Sequence, residues 1–438
     1  MFKIFANAWR VEDIRKKLLF IFLLLIIYRF GSMIPLPGID LDMLYMVRYG
    51  DMGWDTAMTV FAMIAGGGVG SVFVMGIAPY ITSSIIMQLL TYAIPQLSEM
   101  QKEGEDGRKK IQQITRYLAV ALAAVQGAAT VFTYTNWPPG MGGFNLFREG
   151  HQNMLVYIMA TLAMMTGTIF IMWLAELLTE KGIGNGASFL IFANILAGLP
   201  AGAMALWVMV TGANVVTGVV QVVILLAVFL AIMAFVVLVH EGERRIPVQY
   251  SRRAGAGGRG GGAYGNHNSY IPLKVNIAGV LSIIFAMSLL QFPAQILQFF
   301  PQNPTLANIV TWLNWEHWFG MTLYVVLIFV FTHFYTSFAI NPIEMAENMK
   351  RQGGFIPGIR PGKPTSDFIQ VTVNKLSWIG AVFYALIALT PILVGRIPQF
   401  PNMGFGGTSL LIVTGVALEF VKQLESQLLM RHYKGFLD

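Results

Sequence analysis

The sequence predicts an all-α polytopic membrane protein with ten transmembrane helices in two inverted five-helix halves, lining a central pathway. Three observations carry that expectation. Only 12% of the 438 residues are charged and 55% are hydrophobic, where a soluble globular chain carries about 25% charged residues. Ten apolar stretches approach the length that crosses a bilayer. Lys and Arg fall almost entirely on alternate connections between them.

The stretches centre on residues 18–34, 72–94, 114–134, 154–178 and 183–207, then 215–239, 271–292, 318–340, 376–394 and 408–429. The fifth is weakened by Gly182, Gly184, Gly186, Gly198 and Pro200. Lys3, Arg10, Arg15, Lys16 and Lys17 precede the first run as they would in a signal peptide. Pro35 and Pro37 stand where a small-residue cleavage site would be, so the first span is expected to be retained.

Ten spans put both termini on one side, and the basic residues say which. After the five at the start come Lys102, Arg108, Lys109 and Lys110 beyond span two. Arg244, Arg245, Arg252, Arg253 and Arg259 lie beyond span six, and Lys350, Arg351, Arg360 and Lys363 beyond span eight. The odd connections hold only Arg48, Arg148 and Arg396. Cytoplasmic loops carry the basic excess, so both termini are expected in the cytoplasm. Most of the formal net charge of +7 is then topology, although the large basic loops at 241–270 and 341–373 suit an acidic partner or ribosomal RNA. Five spans followed by five invert residues 211–438 relative to 1–210, and inverted repeats build a pathway where they meet.

One apolar segment is cut in two. Residues 56–65 would rise about 15 Å as a helix, half of a bilayer core of about 30 Å. Gly66, Gly67, Gly68 and Gly70 follow at once. Such a piece either dips into the membrane and turns back, where protein or water must surround its freed backbone groups, or forms an apolar surface loop.

Ionisable groups at membrane depth mark ion-coupled transport, and this chain offers few. Arg29 and Lys274 lie near span ends, Glu176 is expected to be solvated at the end of span four, and His333 suits a helix-to-helix hydrogen bond. Glu419 would serve a secondary transporter of small solutes, the alternative class. Lys422, Gln423 and Glu425 follow it at helical spacing, however, as in an amphipathic extension. Uncharged polar residues are more suggestive: Thr82, Ser83, Ser84 and Gln88 on span two, Gln126 on span three, and Asn276, Ser282 and Ser288 on span seven. These suit weak interhelical hydrogen bonds along a seam that can open.

Enzyme signatures are missing. No GxxxxGK[ST] phosphate loop and no HExxH motif occurs, and cysteine is absent. Gly182, Gly184 and Gly186 form a GxGxG string that follows an apolar helix rather than a strand, which argues against a dinucleotide site. Neither catalysis nor a cofactor is expected.

Several stretches resemble the SecY protein-conducting channels of bacteria. They are GSMIPLPGI at 31–39, GIAPYITSSIIMQLL at 76–90, EGEDGRKKI at 103–111 and TEKGIGNGASFLIFANILAGLP at 179–200. IPLKVNIAGV at 271–280, GFIPGIRPGKPT at 354–365 and FGGTSLLIVTGVALEFVKQLESQLLMRHY at 405–433 complete the set. The resemblance implies a central pore closed by a short re-entrant plug helix at about 57–70, here Ala57, Val60, Phe61, Ile64, Gly66, Gly67, Gly68 and Gly70.

It also implies a constricting apolar ring at Ile77, Ile81, Ile191, Ile284 and Ile412, with Ala187 where relatives often place isoleucine. Such a ring dewets and blocks ions without gripping a passing chain. A lateral gate to lipid would involve Thr82, Ser83, Gln126, Asn276 and Phe292. Implied partners are the SecA motor ATPase or a ribosome, met by Arg244, Arg245, Arg252 and Arg360. Small SecE and SecG subunits, an unfolded preprotein with its signal peptide, and membrane lipid complete the set. Arg360 stands between Pro and Gly on a stiff turn, whereas residues 254–262 read AGAGGRGGG, a low-complexity run where relatives carry a more basic tip. The implied location is the bacterial cytoplasmic membrane.

Overall fold

The computed structural model describes residues 7–44, 68–135, 145–212, 215–250, 269–275, 279, 281–297, 304–314, 317–395 and 407–434. Helices dominate. In chain order they are α1 (Glu12–Gly31), α2 (Ala78–Ala93), α3 (Pro95–Lys102), α4 (Glu105–Thr135), α5 (Met154–Lys181), α6 (Gly186–Gly212) and α7 (Val215–Glu241). After strands β1 (Glu243–Tyr250) and β2 (Ser269–Lys274) come α8 (Leu281–Leu297), α9 (Pro304–Leu313), α10 (Trp318–Ala339) and α11 (Pro342–Arg351). Strand β3 (Gly354–Phe355), α12 (Lys363–Gly395) and α13 (Gly407–Lys434) complete the order. Among the described residues, five helices are long and apolar enough by themselves to cross a membrane, those built on α4, α5, α7, α10 and α12.

Local chemistry sets the breaks. Pro79 occupies the first turn of α2 and Pro95 that of α3, where a missing N–H costs nothing. Ile94 between them is extended, as a residue before proline prefers. Asn341 accepts from the Glu344 N–H and starts α11 ahead of Pro342.

Packing follows the same order in both halves. In the first, α2 lies on α4, α4 on α5, α5 on α6, and α1 returns to α5. In the second, α8 lies on α10, α10 on α12 and α12 on α13, while Phe235 of α7 meets Phe383 of α12 edge-on at 5.2 Å. Thus the first span of each half touches the fourth. The halves join broadly where α6 meets α7 and α13, and only briefly where α2 meets α8.

Two departures from the expected all-helical chain concern one face. Residues 271–274, expected to begin a span, belong to β2, and α8 begins only at Leu281. β1 pairs antiparallel with both β2 and β3, the latter through Gln249↔Phe355 and Tyr250↔Gly354. The described parts of the two large basic connections therefore join in one sheet. Ile246, Val248 and Leu273 of the sheet pack with Met349, Ile356, Ile369 and Val373 into a separate buried cluster.

Candidate functional site

Four helices bring the six expected ring positions into a single apolar cluster. Ile77 precedes α2 and Ile81 follows one helical turn later, its N–H donating to the Ile77 carbonyl at 3.0 Å, so the pair shares a face. Ala187 and Ile191 repeat that spacing at the start of α6. The start is fixed by Asn185, whose Oδ1 accepts from the Ala187 N–H at 3.0 Å, and by Thr179, whose Oγ1 accepts from the Gly186 N–H at 2.9 Å. Ile284 sits in the first turn of α8 and Ile412 early in α13. Ile77, Ile191, Ile284 and Ile412 are buried together, with Ile81 and Ala187 packed against them. Such side chains offer dispersion contact and no hydrogen bond.

The glycine-broken segment is described only at its exit. Ala57, Val60, Phe61, Ile64, Gly66 and Gly67 lie outside the described residues. Beyond them the chain is pinned: Leu36 N–H donates to the Gly70 carbonyl at 2.9 Å, Val72 N–H to that of Ile34 at 3.0 Å, and Gly70 N–H to the Tyr134 hydroxyl at 3.2 Å. Gly70 has φ of +72°, a turn that suits glycine. Gly68 precedes buried Val69, which joins Leu36, Leu44 and Tyr134 in a cluster at the face opposite the basic loops.

On α2, three hydroxyls bond within their own helix. Thr82 Oγ1 donates to the Ala78 carbonyl at 3.0 Å, Ser83 Oγ to that of Tyr80 at 2.8 Å, and Thr91 Oγ1 to that of Met87 at 2.7 Å. A hydroxyl inside a helix reaches the preceding turn more easily than a neighbouring helix. Phe292 is exposed near the far end of α8. Gln126 lies on α4, its carbonyl accepting from Thr130, and Asn276 lies outside the described residues. A cavity of about 250 Å³ opens beside α2, lined by Tyr80, Ser84, Gln88, Arg108, Gln112 and Phe338.

Other polar expectations divide. Glu176 is not simply solvated: Arg116 Nε donates to its Oε1 at 2.6 Å, tying α4 to α5. His333 lies against the Trp378 ring, with 6.3 Å between centroids. Glu419 is exposed and accepts from Gln423 at 3.3 Å, while Lys422 pairs with Glu241 at 2.9 Å. The candidate transport carboxylate therefore belongs to the amphipathic extension of α13.

On the basic face, Arg245 Nε donates to Glu243 Oε1 at 2.6 Å, and its guanidinium stacks 4.8 Å from the Tyr270 ring centroid. Donating this hydrogen bond to Glu243 raises the Arg245 pKa above its ordinary value. Arg244 occupies the adjacent β1 position, opposite Leu273. Arg360 is exposed in the turn after β3, its carbonyl accepting from Thr365 Oγ1 at 2.9 Å. Arg252 lies outside the described residues. Sequence reading missed Glu243 and Tyr270, although Arg245-Ile246-Pro247-Val248 alternates as a strand does.

A family model described as SecY matches residues 71–421. The chain belongs to the SecY family. Relatives named protein translocase subunit SecY include one from Halalkalibacterium halodurans, 40% identical, and one from Streptomyces galbus, 42% identical. Another from Bacillus subtilis is 39% identical, and in all three cases both chains are covered in full. The fold matches a solved protein-conducting channel with a TM-score of 0.63 at 18% identity, over 93% of this chain and 90% of that one. Sec61 from the canine ribosome–channel complex of the endoplasmic reticulum matches equally, at 0.63 and 18% over the same shares. The SecY match begins immediately beyond pinned Gly70 and takes in all six ring positions.

Proposed function

We propose that this chain is the pore-forming subunit of a bacterial protein translocase. It passes unfolded polypeptides across the cytoplasmic membrane and releases apolar helices sideways between α2 and α8. The observation that carries the reading is the convergence of Ile77, Ile81, Ala187, Ile191, Ile284 and Ile412 on one apolar cluster beside a brief seam. Residues 57–70 act as the plug, and both termini face the cytoplasm with the basic loops.

The channel itself performs no chemistry. Energy comes from a motor ATPase of the SecA kind or from a translating ribosome, engaged by Arg244, Arg245, Arg252 and Arg360, and small SecE and SecG subunits brace the halves. Support for a ribosome comes from structural neighbours solved on ribosomes, Sec61 and yeast Ssh1. An arginine fork suits phosphates and carboxylates alike.

Site-specific photocrosslinkers at Ile81 and Ile412 are expected to capture a stalled secretory polypeptide in the presence of motor ATPase and ATP. Absence of adducts, together with uptake of a small solute, would sink the reading. Deleting residues 57–65 is expected to raise ion leakage from liposomes while translocation continues. An unchanged leak would remove the plug assignment.

A further inference from the structure

α9 has no place in the pathway. It links the far ends of α8 and α10, opposite the basic loops, and packs on both. At about 100° per residue, Leu306, Val310 and Leu313 share one side, Ile309 and Trp312 a second, and Asn308 and Thr311 a third. The structure treats the sides differently. The first is partly buried, with Leu313 against the main core, whereas Ile309 and Trp312 are exposed.

The exposed apolar side is unusual in its chemistry. Residues 281–315 contain no Asp, Glu, Lys or Arg, and three of the chain's nine tryptophans fall at positions 312, 315 and 318. Trp312 is 52% and Trp318 61% exposed. Tryptophan favours the boundary between headgroups and acyl chains, where its ring is apolar and its N–H stays wet. The side is also continuous with exposed Phe319 of α10, whose ring lies 6.4 Å from that of Trp312. A helix with one side on protein, one apolar and one polar fits that boundary and no other environment as well.

The geometry points to α9 as an interfacial anchor, seated through Ile309, Trp312 and Trp318 in the headgroup–acyl boundary of the leaflet opposite the basic loops. The anchor is coupled to its neighbours. The Trp312 ring lies against that of His317, tilted by 49° with 4.6 Å between centroids, and His317 Nδ1 accepts from the Phe319 N–H at 3.3 Å to cap α10. Seating α9 therefore fixes the depth at which α10 begins. The inference rests on the membrane reading, not on which face is outward.

The sequence contains no cysteine, so single nitroxide labels in the assembled full-length channel, reconstituted in phospholipid nanodiscs, report depth cleanly. At Ile309→Cys, collisions with oxygen are expected to exceed those with a water-soluble nickel chelate, at a depth about 5–10 Å inside the boundary. Thr311→Cys is expected to show the reverse. Chelate-dominated collisions at position 309 would overturn the anchor in favour of water. Low collision rates with both reagents would overturn it in favour of a covering protein. Trp312→Ala with Trp318→Ala is expected to move the position 309 label towards the chelate, and Trp→Phe at both sites to restore its depth. A control label at Leu230→Cys, exposed on α7, separates the two failures: chelate access there would sink the membrane reading itself.

Discussion

Ile412→Asp is expected to make the resting channel leak small ions. Ile412 is 2% exposed and shares its cluster with apolar side chains from α2, α6 and α8. An ionised carboxylate there would lose tens of kcal/mol of Born solvation in a dry medium of low dielectric, so water must enter or the group must take up a proton. At the narrow waist of a pore, admitted water is what hydrated ions require. Ile412→Val removes one methylene, costs about 1 kcal/mol and should leave the seal intact. Ile328→Asp, equally buried in the same cluster on α10, is the decisive control because it lies away from the ring. Ion flux from liposomes checks all three variants. Equal leaks from the position 412 and 328 variants would mean that general unfolding, not a breached ring, admits the ions.

Gly186→Val is expected to prevent α6 from seating on α5. A Cβ at this position would lie 2.0 Å from the Ala175 carbonyl oxygen and 2.7 Å from Leu178 Cβ. The first of these is backbone and cannot rotate away. Overpacking of this kind costs about 3 kcal/mol, and here it also displaces Ala187 and Ile191, which follow in the same helix. Gly104→Ala makes the comparison sharp. Gly104 has φ of +89° with open space around its Cα, so alanine there meets only left-handed backbone strain of about 1 kcal/mol. Thermal unfolding of the purified complex should separate the two variants by several degrees. Equal losses would mean that the α5–α6 crossing yields.

Long apolar spans were legible because composition alone specifies them. The expected 154–178 and 215–239 sit inside Met154–Lys181 and Val215–Glu241. The sheet was hidden by its own residues. Ile271, Pro272 and Leu273 read as the start of a span, and prolines at 247 and 272 weaken any strand assignment, although Pro247 faces Tyr270 and Pro272 faces Arg245 within an ordinary ladder. α9 escaped notice because ten residues cannot span a bilayer. Glu176 needed a partner 60 residues away, Arg116, which no local pattern signals. The ring was legible only through resemblance, since hydropathy has no means of separating Ile191 or Ile412 from the other apolar residues of their helices.

The hydroxyls of α2 carry a further consequence. Thr82, Ser83 and Thr91 each bond the preceding turn of their own helix, so drawing α2 away from α8 leaves those donors satisfied. These hydroxyls do not latch α2 to α8. In the proposed gate the seam would then behave as a boundary between two solvents of similar cohesion, where an arriving apolar segment exchanges one set of dispersion contacts for another of like strength. Selection would fall to the segment's own partitioning: sufficiently apolar stretches would come to rest in lipid, and the remainder would continue along the axis.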